Sequence, residues 1–317
     1  MADREQPTLA GLGEFAVIDE LVAGRTQPGI VEVGPGDDAA VVIAPDGRTV
    51  VSTDMLVEGR HFRLDWSTPH DVGRKAIAQN AADVEAMGAT PTAYVVGFGA
   101  PGDTAADAAT ALSDGMWSEA ARTGAGIVGG DLVAAPQWVV SVTVLGDLGG
   151  RAPVLLSGAR PGDVVAVIGD LGTSAAGYAL WLNDVRRFGD LRRRHLVPEV
   201  PYGSGRRAAD AGATAMTDVS DGLVADLGHV AAASGVTVEL STSALLADRD
   251  VVAAAAEATG GDPWDWVLGG GEDHALVATF PGPPPPGWRR IGSVVDGPAG
   301  VLVDGEPWRG SAGWQSY

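Results

Sequence analysis

The 317-residue sequence contains no cysteine, a single lysine and no hydrophobic run long enough to cross a membrane. Without cysteine there is no disulfide, no zinc-thiolate centre and no thiol nucleophile. A membrane-spanning helix needs about 18 or more consecutive apolar residues, so none is expected. The first residues also lack the basic and apolar blocks of a secretory signal. These absences favour a soluble cytoplasmic protein.

Positive charge is scarce as well. The chain has 21 basic residues against 41 acidic ones, which gives a formal net charge of -20. A field of this sign repels nucleic acid and anionic lipid, so we expect neither as a partner. The lysine-containing phosphate loop Gly-x-x-x-x-Gly-Lys-Ser/Thr is absent, and Lys75, the only lysine, lies in a different context. Any phosphate ligand must therefore be screened by divalent cations.

What the sequence has instead is a series of aspartates in short turns marked by glycine, serine or threonine. The seven aspartates of this kind are Asp37, Asp38, Asp54, Asp83, Asp131, Asp218 and Asp221. Mg²⁺ prefers hard oxygen ligands in octahedral geometry and shares them with a substrate's phosphates. A fold that brings these turns together would hold several magnesium ions and, with them, a nucleoside triphosphate.

Alternating strand and helix patterns indicate an α/β protein. Its length favours two domains. Gly149, Gly150 and Pro153 interrupt the pattern near the middle, so we place the domains at residues 1–148 and 149–317. The first is expected to bind ATP and metal and to form the dimer contact.

Several aspartates follow predicted strands. The strand 49–53 leads into Asp54, and the strand 126–128 leads directly into Asp131. A helix is predicted from Asp71 to Met87, and it carries Asp83. Open α/β sheets bind ligands at the carboxyl ends of their strands. We therefore expect these acids to converge there.

In the second half, the strand 164–168, the glycine turn 169–174 and the following helix resemble a phosphate cradle. Ser220 and Asp221 are predicted to cap a helix that ends at Ser234. Each feature also has a simpler explanation, since tight turns need glycine and a Ser-Asp pair often does no more than cap a helix. A lone histidine such as His61 usually has no ligand. The aspartates favour a shared site only when taken together.

The order of these motifs resembles the thiamine-monophosphate kinase family over nearly the whole chain. The motifs that carry the resemblance are residues 36–40 (Gly-Asp-Asp-Ala-Ala), 52–62, 75–88, 129–131, 157–163, 218–223 and 270–273 (Gly-Gly-Glu-Asp). The resemblance implies the two-domain fold of the aminoimidazole-ribonucleotide synthetase-like superfamily, with homodimers formed through the N-terminal sheets. It also implies transfer of the γ-phosphoryl group of ATP to thiamine monophosphate, giving thiamine diphosphate.

The resemblance further implies roles for individual residues. The implied Mg²⁺ ligands are Asp38, Ser52, Thr53, Asp54, Asp83, Asp131, Asp218 and Asp221. The implied ATP contacts are Gly130, Asp131 and Ser220. The implied thiamine monophosphate contacts are His61, Glu272 and Trp314. Asp131 is expected to be the most critical of them.

The chemistry agrees with this assignment. A phosphate monoester has a second pKa of about 6, so thiamine monophosphate is already largely a dianion at neutral pH. Its oxygen needs no general base, only alignment with the γ-phosphorus and relief from repulsion. We therefore predict no catalytic nucleophile or base on the protein and no phosphoenzyme.

One position departs from the family. Leu156 stands before Ser157 where the family commonly has a basic residue that contacts ATP. Leucine cannot pair with phosphate. Either nucleotide affinity is lower in this chain, or Arg151 or Arg160 compensates.

Two alternatives stay open on the sequence. Another ATP-using enzyme of the superfamily is the first, although selenophosphate synthetase depends on a cysteine or selenocysteine that this chain lacks. A non-catalytic acidic protein that binds divalent metal is the second, and it would bind metal without turning over ATP.

Overall fold

The computed structural model describes residues 7–35, 39–310 and 313, and it divides the chain into two compact units. The first unit contains residues up to 81 and residues 91–147, and the second contains residues 82–90 and everything after 147. Among the described residues, no helix combines the length and the hydrophobicity that crossing a bilayer requires.

The first unit is built on a four-stranded sheet. In chain order its elements are α1 (Leu9–Leu12), α2 (Glu14–Val22), β1 (Val31–Val33), β2 (Val41–Val42), β3 (Val50–Val57), α3 (Pro69–Ala86), β4 (Thr90–Ala100), α4 (Ala106–Thr123), β5 (Gly126–Ala134) and β6 (Val139–Asp147). The strand order is β3-β6-β4-β5, with β3 antiparallel to β6 and β4 parallel to β5. Strands β1 and β2 form a separate antiparallel pair.

Helix α3 is bounded by the residues that the sequence indicates. Thr68 Oγ1 accepts the N–H of Asp71 at 3.2 Å, and Asp71 Oδ2 accepts the N–H of Thr68 at 3.1 Å, which is a reciprocal cap. Gly88, with φ of 73°, follows its end. The predicted helix from Asp71 to Met87 is therefore confirmed to within two residues.

Helices α3 and α4 approach each other through glycine. A Cβ on Gly73 would lie 2.0 Å from the Leu112 carbonyl oxygen, and one on Gly115 would lie 2.0 Å from that of His70. Only glycine allows backbones this close. The contact fixes the part of α3 up to Ala81, which carries Gln79 and Asn80, within the first unit.

The second unit has a seven-stranded, mainly antiparallel sheet. Its elements are β7 (Val164–Ile168), α5 (Thr173–Leu182), α6 (Gly189–Leu196), α7 (Ser204–Asp210), β8 (Ala215–Asp218), α8 (Leu223–Ser234), β9 (Thr237–Leu240), a 3-10 turn (Thr242–Leu245), α9 (Leu246–Thr259), α10 (Pro263–Gly269), β10 (Leu276–Phe280), β11 (Arg289–Val295), β12 (Gly300–Val303) and β13 (Glu306–Pro307). The strand order is β13-β12-β9-β11-β7-β10-β8, and among the described residues of this sheet β12 and β9 are the one parallel pair.

Both faces of this sheet are packed. Along β7, Val165 and Val167 belong to the larger hydrophobic cluster, whereas Ala166 belongs to a smaller cluster with Phe280 and Trp288. This alternation is typical of a strand that is covered on both sides. The candidate site residues next to the ends of β8 and β10 are therefore attached to strands that are packed on both faces.

The last turn of α3 belongs to the second unit. The Glu85 carboxylate accepts the backbone N–H groups of Gly203 at 2.7 Å and Gly205 at 2.9 Å, at the start of α7. The carbonyl of Met87 accepts the N–H of Val154. These bonds hold Asp83, two residues before Glu85, in the second unit.

Candidate active site

Asp54 lies in the middle of β3, not after it. Asp54 pairs with Val142 of β6, and the strand continues to Val57. Since β3 is the edge strand, the Asp54 N–H is outside the ladder, and it donates to Asn80 Oδ1 of α3 at 3.0 Å. Gln79 Nε2 donates to Asp54 Oδ2 at 3.2 Å. The expectation that Asp54 follows the strand was wrong. Strand β3 stays paired with β6 as far as Val57, and Asn80 accepts the Asp54 N–H at the outer edge.

Asp131 also lies inside a strand. Strand β5 continues to Ala134, and Asp131 is in register with Gly97 of β4. Its Oδ1 accepts the N–H of Leu132 at 3.0 Å, and its side chain is exposed. The prediction that this strand ends before Asp131 was wrong. Gly130 is required by packing, since a Cβ there would lie 2.0 Å from the Val96 carbonyl oxygen.

Strand alternation places Asp54 and Asp131 on opposite faces of the four-stranded sheet. A Cβ on Gly97, the partner of Asp131, would lie 3.8 Å from Ser141 Cβ, and Ser141 pairs with Met55. Met55 and Thr53 share a face, and Ser52 and Asp54 share the other. The structure thus groups Asp131 with Thr53, and Asp54 with Ser52 and α3.

His61 is held by its backbone and by its ring. Its Nδ1 accepts the Val57 N–H at 3.0 Å, and its carbonyl accepts a bond of 3.0 Å from Lys75 Nζ. Since Nδ1 is an acceptor, the neutral ring carries its proton on Nε2. Lys75 is only 2% exposed, so the chain's single lysine anchors the His61 loop and is shielded from solvent.

Asp218 and Asp221 lie at the start of the loop between β8 and α8. Asp218 ends β8 and is buried, and Asp221 is two residues before Leu223, where α8 begins. The predicted cap by Ser220 and Asp221 was wrong: Gly222 occupies the N-cap position and makes no side-chain cap. Instead, Asp226 Oδ2 accepts the N–H groups of Asp221 and Gly222 at 3.1 and 3.0 Å.

Asp226 is a buried acid that the sequence analysis missed. Its burial, together with the charges of Asp218 and Asp221, raises the pKa of Asp226 to about 7. Ligand atoms of Asp221, Asp226 and His229 lie within 4.8 Å of one another. An aspartate in the first turn of α8 was the available signal, but only the fold shows that its carboxylate turns back under the loop.

The segment 272–274 lies against this loop. Glu272 N–H donates to the Ser220 carbonyl at 2.7 Å, and His274 N–H donates to the Val219 carbonyl at 2.9 Å. Glu272 and His274 have φ values of 64° and 52°, in the left-handed region. The Glu272 side chain is 34% exposed, and its Oε2 lies 3.5 Å from His195 Nδ1.

Charged residues from several elements influence the pKa of His274. Burial lowers the pKa of His274, but the hydrogen bond and charge of Asp218, with the charges of Glu272 and Asp83, outweigh it and raise this pKa. Within the second unit, the structure therefore brings Asp83, Asp218 and Glu272 near one histidine. His274 was not singled out from the sequence.

The structure does not support the predicted phosphate cradle at residues 164–182, because a carboxylate of the chain occupies that position. Asp273 accepts bonds from Gly172 N–H at 2.5 Å, Thr173 Oγ1 at 3.0 Å and Ser174 N–H at 2.8 Å. Burial raises the pKa of Asp273 to about 7, while these three donors act in the opposite direction. The N-terminus of α5 thus holds a carboxylate of the same chain where a phosphate was expected.

Leu156 is exposed, and the two candidate substitutes differ in their surroundings. The Arg151 guanidinium is engaged by the Asp210 carboxylate, with Nε 2.5 Å from Oδ1, and by the Leu148 carbonyl. The backbone of Arg160 makes two bonds with Asp163: its N–H donates to Asp163 Oδ2 at 3.0 Å, and its carbonyl accepts the Asp163 N–H at 3.0 Å. Asp38 and Trp314, with the neighbouring Asp37, lie outside the described residues.

The comparisons with known proteins agree with this architecture. Residues 36–148 match the N-terminal domain of AIR synthase related proteins, and residues 160–304 match the C-terminal domain. The chain is therefore an AIR synthase related protein with both domains of that fold. It is 71% identical over 313 residues to a thiamine-monophosphate kinase of Mycobacterium tuberculosis, covering 99% of this chain and 94% of that one. The chain belongs to the thiamine-monophosphate kinase family.

More distant relatives agree. A thiamine-monophosphate kinase of Corynebacterium glutamicum is 42% identical, with 99% of this chain and 96% of that protein covered. A solved structure described as AaThiL complexed with AMPPCP and TMP is 32% identical, with a TM-score of 0.78, and 96% of this chain and 97% of that chain are covered. The expected family and fold are confirmed.

Proposed function

We propose that this chain transfers the γ-phosphoryl group of ATP to thiamine monophosphate in the cytoplasm and so forms thiamine diphosphate. The observation that carries the proposal is the 71% identity to a thiamine-monophosphate kinase across 99% of the chain. The grouping of Asp83, Asp218 and Glu272 in the second unit supports it. The absence of cysteine supports the reducing compartment.

The acidic residues of the second unit fit Mg²⁺. Asp218, Asp221 and Asp226 offer hard carboxylate oxygens, and their mutual repulsion is what helps to raise the pKa of Asp226 after burial. A divalent cation would relieve that repulsion. We propose that Asp83, Asp218 and Asp221 hold magnesium in the second unit, and that Asp38, Ser52, Thr53, Asp54 and Asp131 hold magnesium in the first.

When bound, magnesium would neutralise phosphate charge. The protein's own part is to bind and align. The acceptor is the phosphate of thiamine monophosphate, a dianion above its pKa of about 6, so no side chain has to remove a proton from it. We assign the ATP contacts to Gly130, Asp131 and Ser220, and the rate to positioning and charge compensation.

Thiamine carries a cationic thiazolium ring, which a carboxylate attracts. Glu272 is partly exposed and is held in place by its backbone bond to Ser220 and by His195. We assign Glu272, with His61 and Trp314, to the thiamine monophosphate site. The fixed tautomer of His61 would then present an Nε2–H donor to the substrate.

The test is direct. The purified chain, incubated with ATP, Mg²⁺ and thiamine monophosphate, is expected to form thiamine diphosphate, which chromatography detects. EDTA in excess over Mg²⁺ should abolish product, and restored Mg²⁺ should recover it. Thiamine in place of thiamine monophosphate is the control and should give no diphosphate. Metal binding without any product would favour a non-catalytic metal-binding protein, and ATP hydrolysis without transfer would favour another enzyme of the superfamily.

We also propose a homodimer formed through the four-stranded sheet. The face that carries Asp131 exposes Val51, Met55, Val95 and Val133, at 56%, 52%, 39% and 53% exposure. Apolar residues clustered on one sheet face favour a protein contact. The partner proposed is a second copy of this chain, because such self-complementary faces suit twofold symmetry.

Met55→Glu is expected to turn the dimer into a monomer, because a charge would be buried at the contact. Light scattering after gel filtration measures the mass, which should fall from twice 32.1 kDa to that value. Val251→Glu, at a 59% exposed position on α9, is the matched control and should leave the dimer intact. A monomeric wild type, or a dimeric Met55→Glu, would refute the proposed contact.

A further inference from the structure

His274 and Asp218 form a buried pair in the second unit. Nδ1 of His274 lies 2.9 Å from Oδ2 of Asp218, and the two residues are 5% and 6% exposed. A carboxylate can only accept, so Nδ1 carries the proton and donates it. The bond fixes the ring tautomer and one of the two Asp218 oxygens.

The backbone holds the two residues in register. Asp218 pairs with Leu276 across β8 and β10. Val219 N–H donates to the Ala275 carbonyl at 2.8 Å, and His274 N–H donates back to the Val219 carbonyl at 2.9 Å. The histidine therefore has little freedom to move away from the carboxylate.

The conformation of His274 has a cost. Its φ of 52° is uncommon for a residue with a side chain, and Glu272 also has a positive φ, of 64°. Such strain persists only where surrounding contacts enforce it, and it is concentrated at functional sites. Here the enforcing contacts are the two backbone bonds to Val219 and the anchoring of Asp273 at the start of α5.

We propose that His274 is a positioning residue that orients the Asp218 carboxylate for metal binding. The inference rests on the proposed function, in which Asp218 is a magnesium ligand. With Oδ2 engaged by the ring, Oδ1 would be the Asp218 oxygen offered to the cation. Partners of this kind fix a metal ligand's geometry, and their loss commonly weakens metal binding about 10- to 100-fold.

Two substitutions separate this role from packing alone. His274→Asn keeps an N–H donor near the position of Nδ1, and asparagine tolerates a left-handed backbone. His274→Leu has no donor. Binding of Mn²⁺ in the presence of a non-hydrolysable ATP analogue, followed by electron paramagnetic resonance, gives the metal affinity without turnover.

His274→Leu is expected to weaken Mn²⁺ binding about 10- to 100-fold. His274→Asn should stay within roughly threefold of wild type, because its donor still meets Asp218. In the assay, the apparent KM for Mg²⁺ should rise in the leucine variant, while kcat at saturating Mg²⁺ should change less. Full Mn²⁺ affinity in His274→Leu, or equal losses in both variants, would overturn the inference.

A measurement on the wild type keeps the inference testable if the leucine variant fails to fold. Nitrogen-15 NMR of labelled histidines should show His274 with its proton on Nδ1, and a bare Nδ1 would overturn the proposal. Failure of the proposed function and failure of the role proposed for His274 give different results. A wild type that makes no thiamine diphosphate refutes the function whatever His274 does, whereas an active wild type with a fully metal-binding leucine variant refutes only the role of His274.

Discussion

Asp131→Asn is expected to lower kcat/KM for thiamine diphosphate formation by roughly 1000-fold, which corresponds to about 4 kcal/mol of transition-state stabilisation. The substitution removes a negative charge and one anionic oxygen from a proposed contact with both metal and ATP. Such charge compensation is the main contribution that a protein makes to phosphoryl transfer. Steady-state rates with saturating thiamine monophosphate and varied MgATP measure it.

The location of Asp131 makes the experiment easy to interpret. The side chain is exposed and, among the described residues, it accepts a bond from the N–H of its neighbour Leu132, so the fold should lose little stability. Because Asp131 lies on the face proposed as the dimer contact, light scattering after gel filtration checks that the variant keeps the wild-type mass. Asp103→Asn changes the net charge equally at another exposed position of the first unit and should retain wild-type activity. Undiminished turnover in Asp131→Asn would remove this residue from the mechanism.

Asp273→Ala is expected to destabilise the second unit by about 3 to 5 kcal/mol. The substitution leaves the N–H groups of Gly172 and Ser174 and the Thr173 hydroxyl without their acceptor, in a fully buried environment. Each buried donor that loses its partner costs about 1 to 3 kcal/mol. Urea unfolding, combined with hydrogen exchange at the α5 amides, measures the loss.

Asp262→Ala is the matched control. Asp262 also caps a helix, accepting the Trp264 N–H at 2.8 Å, but it does so at an exposed position. Its loss should cost about 1 kcal/mol. If Asp273→Ala costs no more than this, the three bonds at α5 contribute less than their burial implies.

The sequence predicted those elements whose ends carry local signals. Helix α3 has a reciprocal cap at Thr68 and a glycine at its end, and β7 was predicted with its observed bounds. Helix α6 was missed, because its sequence Gly-Asp-Leu-Arg-Arg-Arg-His-Leu offers only two apolar positions for a periodic pattern. Strands β11 to β13 follow a proline run and are short or polar, so they also give little signal.

The candidate site was predicted as a set of residues and not as an arrangement. The strand patterns predicted that β3 ends before Asp54 and β5 before Asp131, at the strand ends where open sheets bind ligands. In the fold, the Asn80 side chain accepts the N–H of Asp54 at the outer edge of β3. Gly130, next to Asp131, allows the backbone of β4 to lie close to β5. These are contacts between residues far apart in sequence, so no local pattern reports them.

The same limit applies to the histidines. His274 and His195 contact Asp218 and Glu272 only because segments 56 and 77 positions apart are brought together. The sequence predicted a set of candidate acids, since the motifs that contain them resemble those of a family. The partners that orient those acids come from the tertiary structure.

Asp54 and Asp131 lie on opposite faces of the four-stranded sheet. In an evenly paired strand, the number of residues before an acid determines the face on which it lies. Strand β3 pairs with β6 without a bulge from Val50 to Val57, so deleting one residue ahead of Asp54 would reverse the two faces of everything that follows and turn Asp54 to the face of Thr53. A loop tolerates the gain or loss of a residue, but this strand does not. Insertions and deletions that accumulate among descendants of this chain should therefore be rare within β3 and more frequent in the connections outside it.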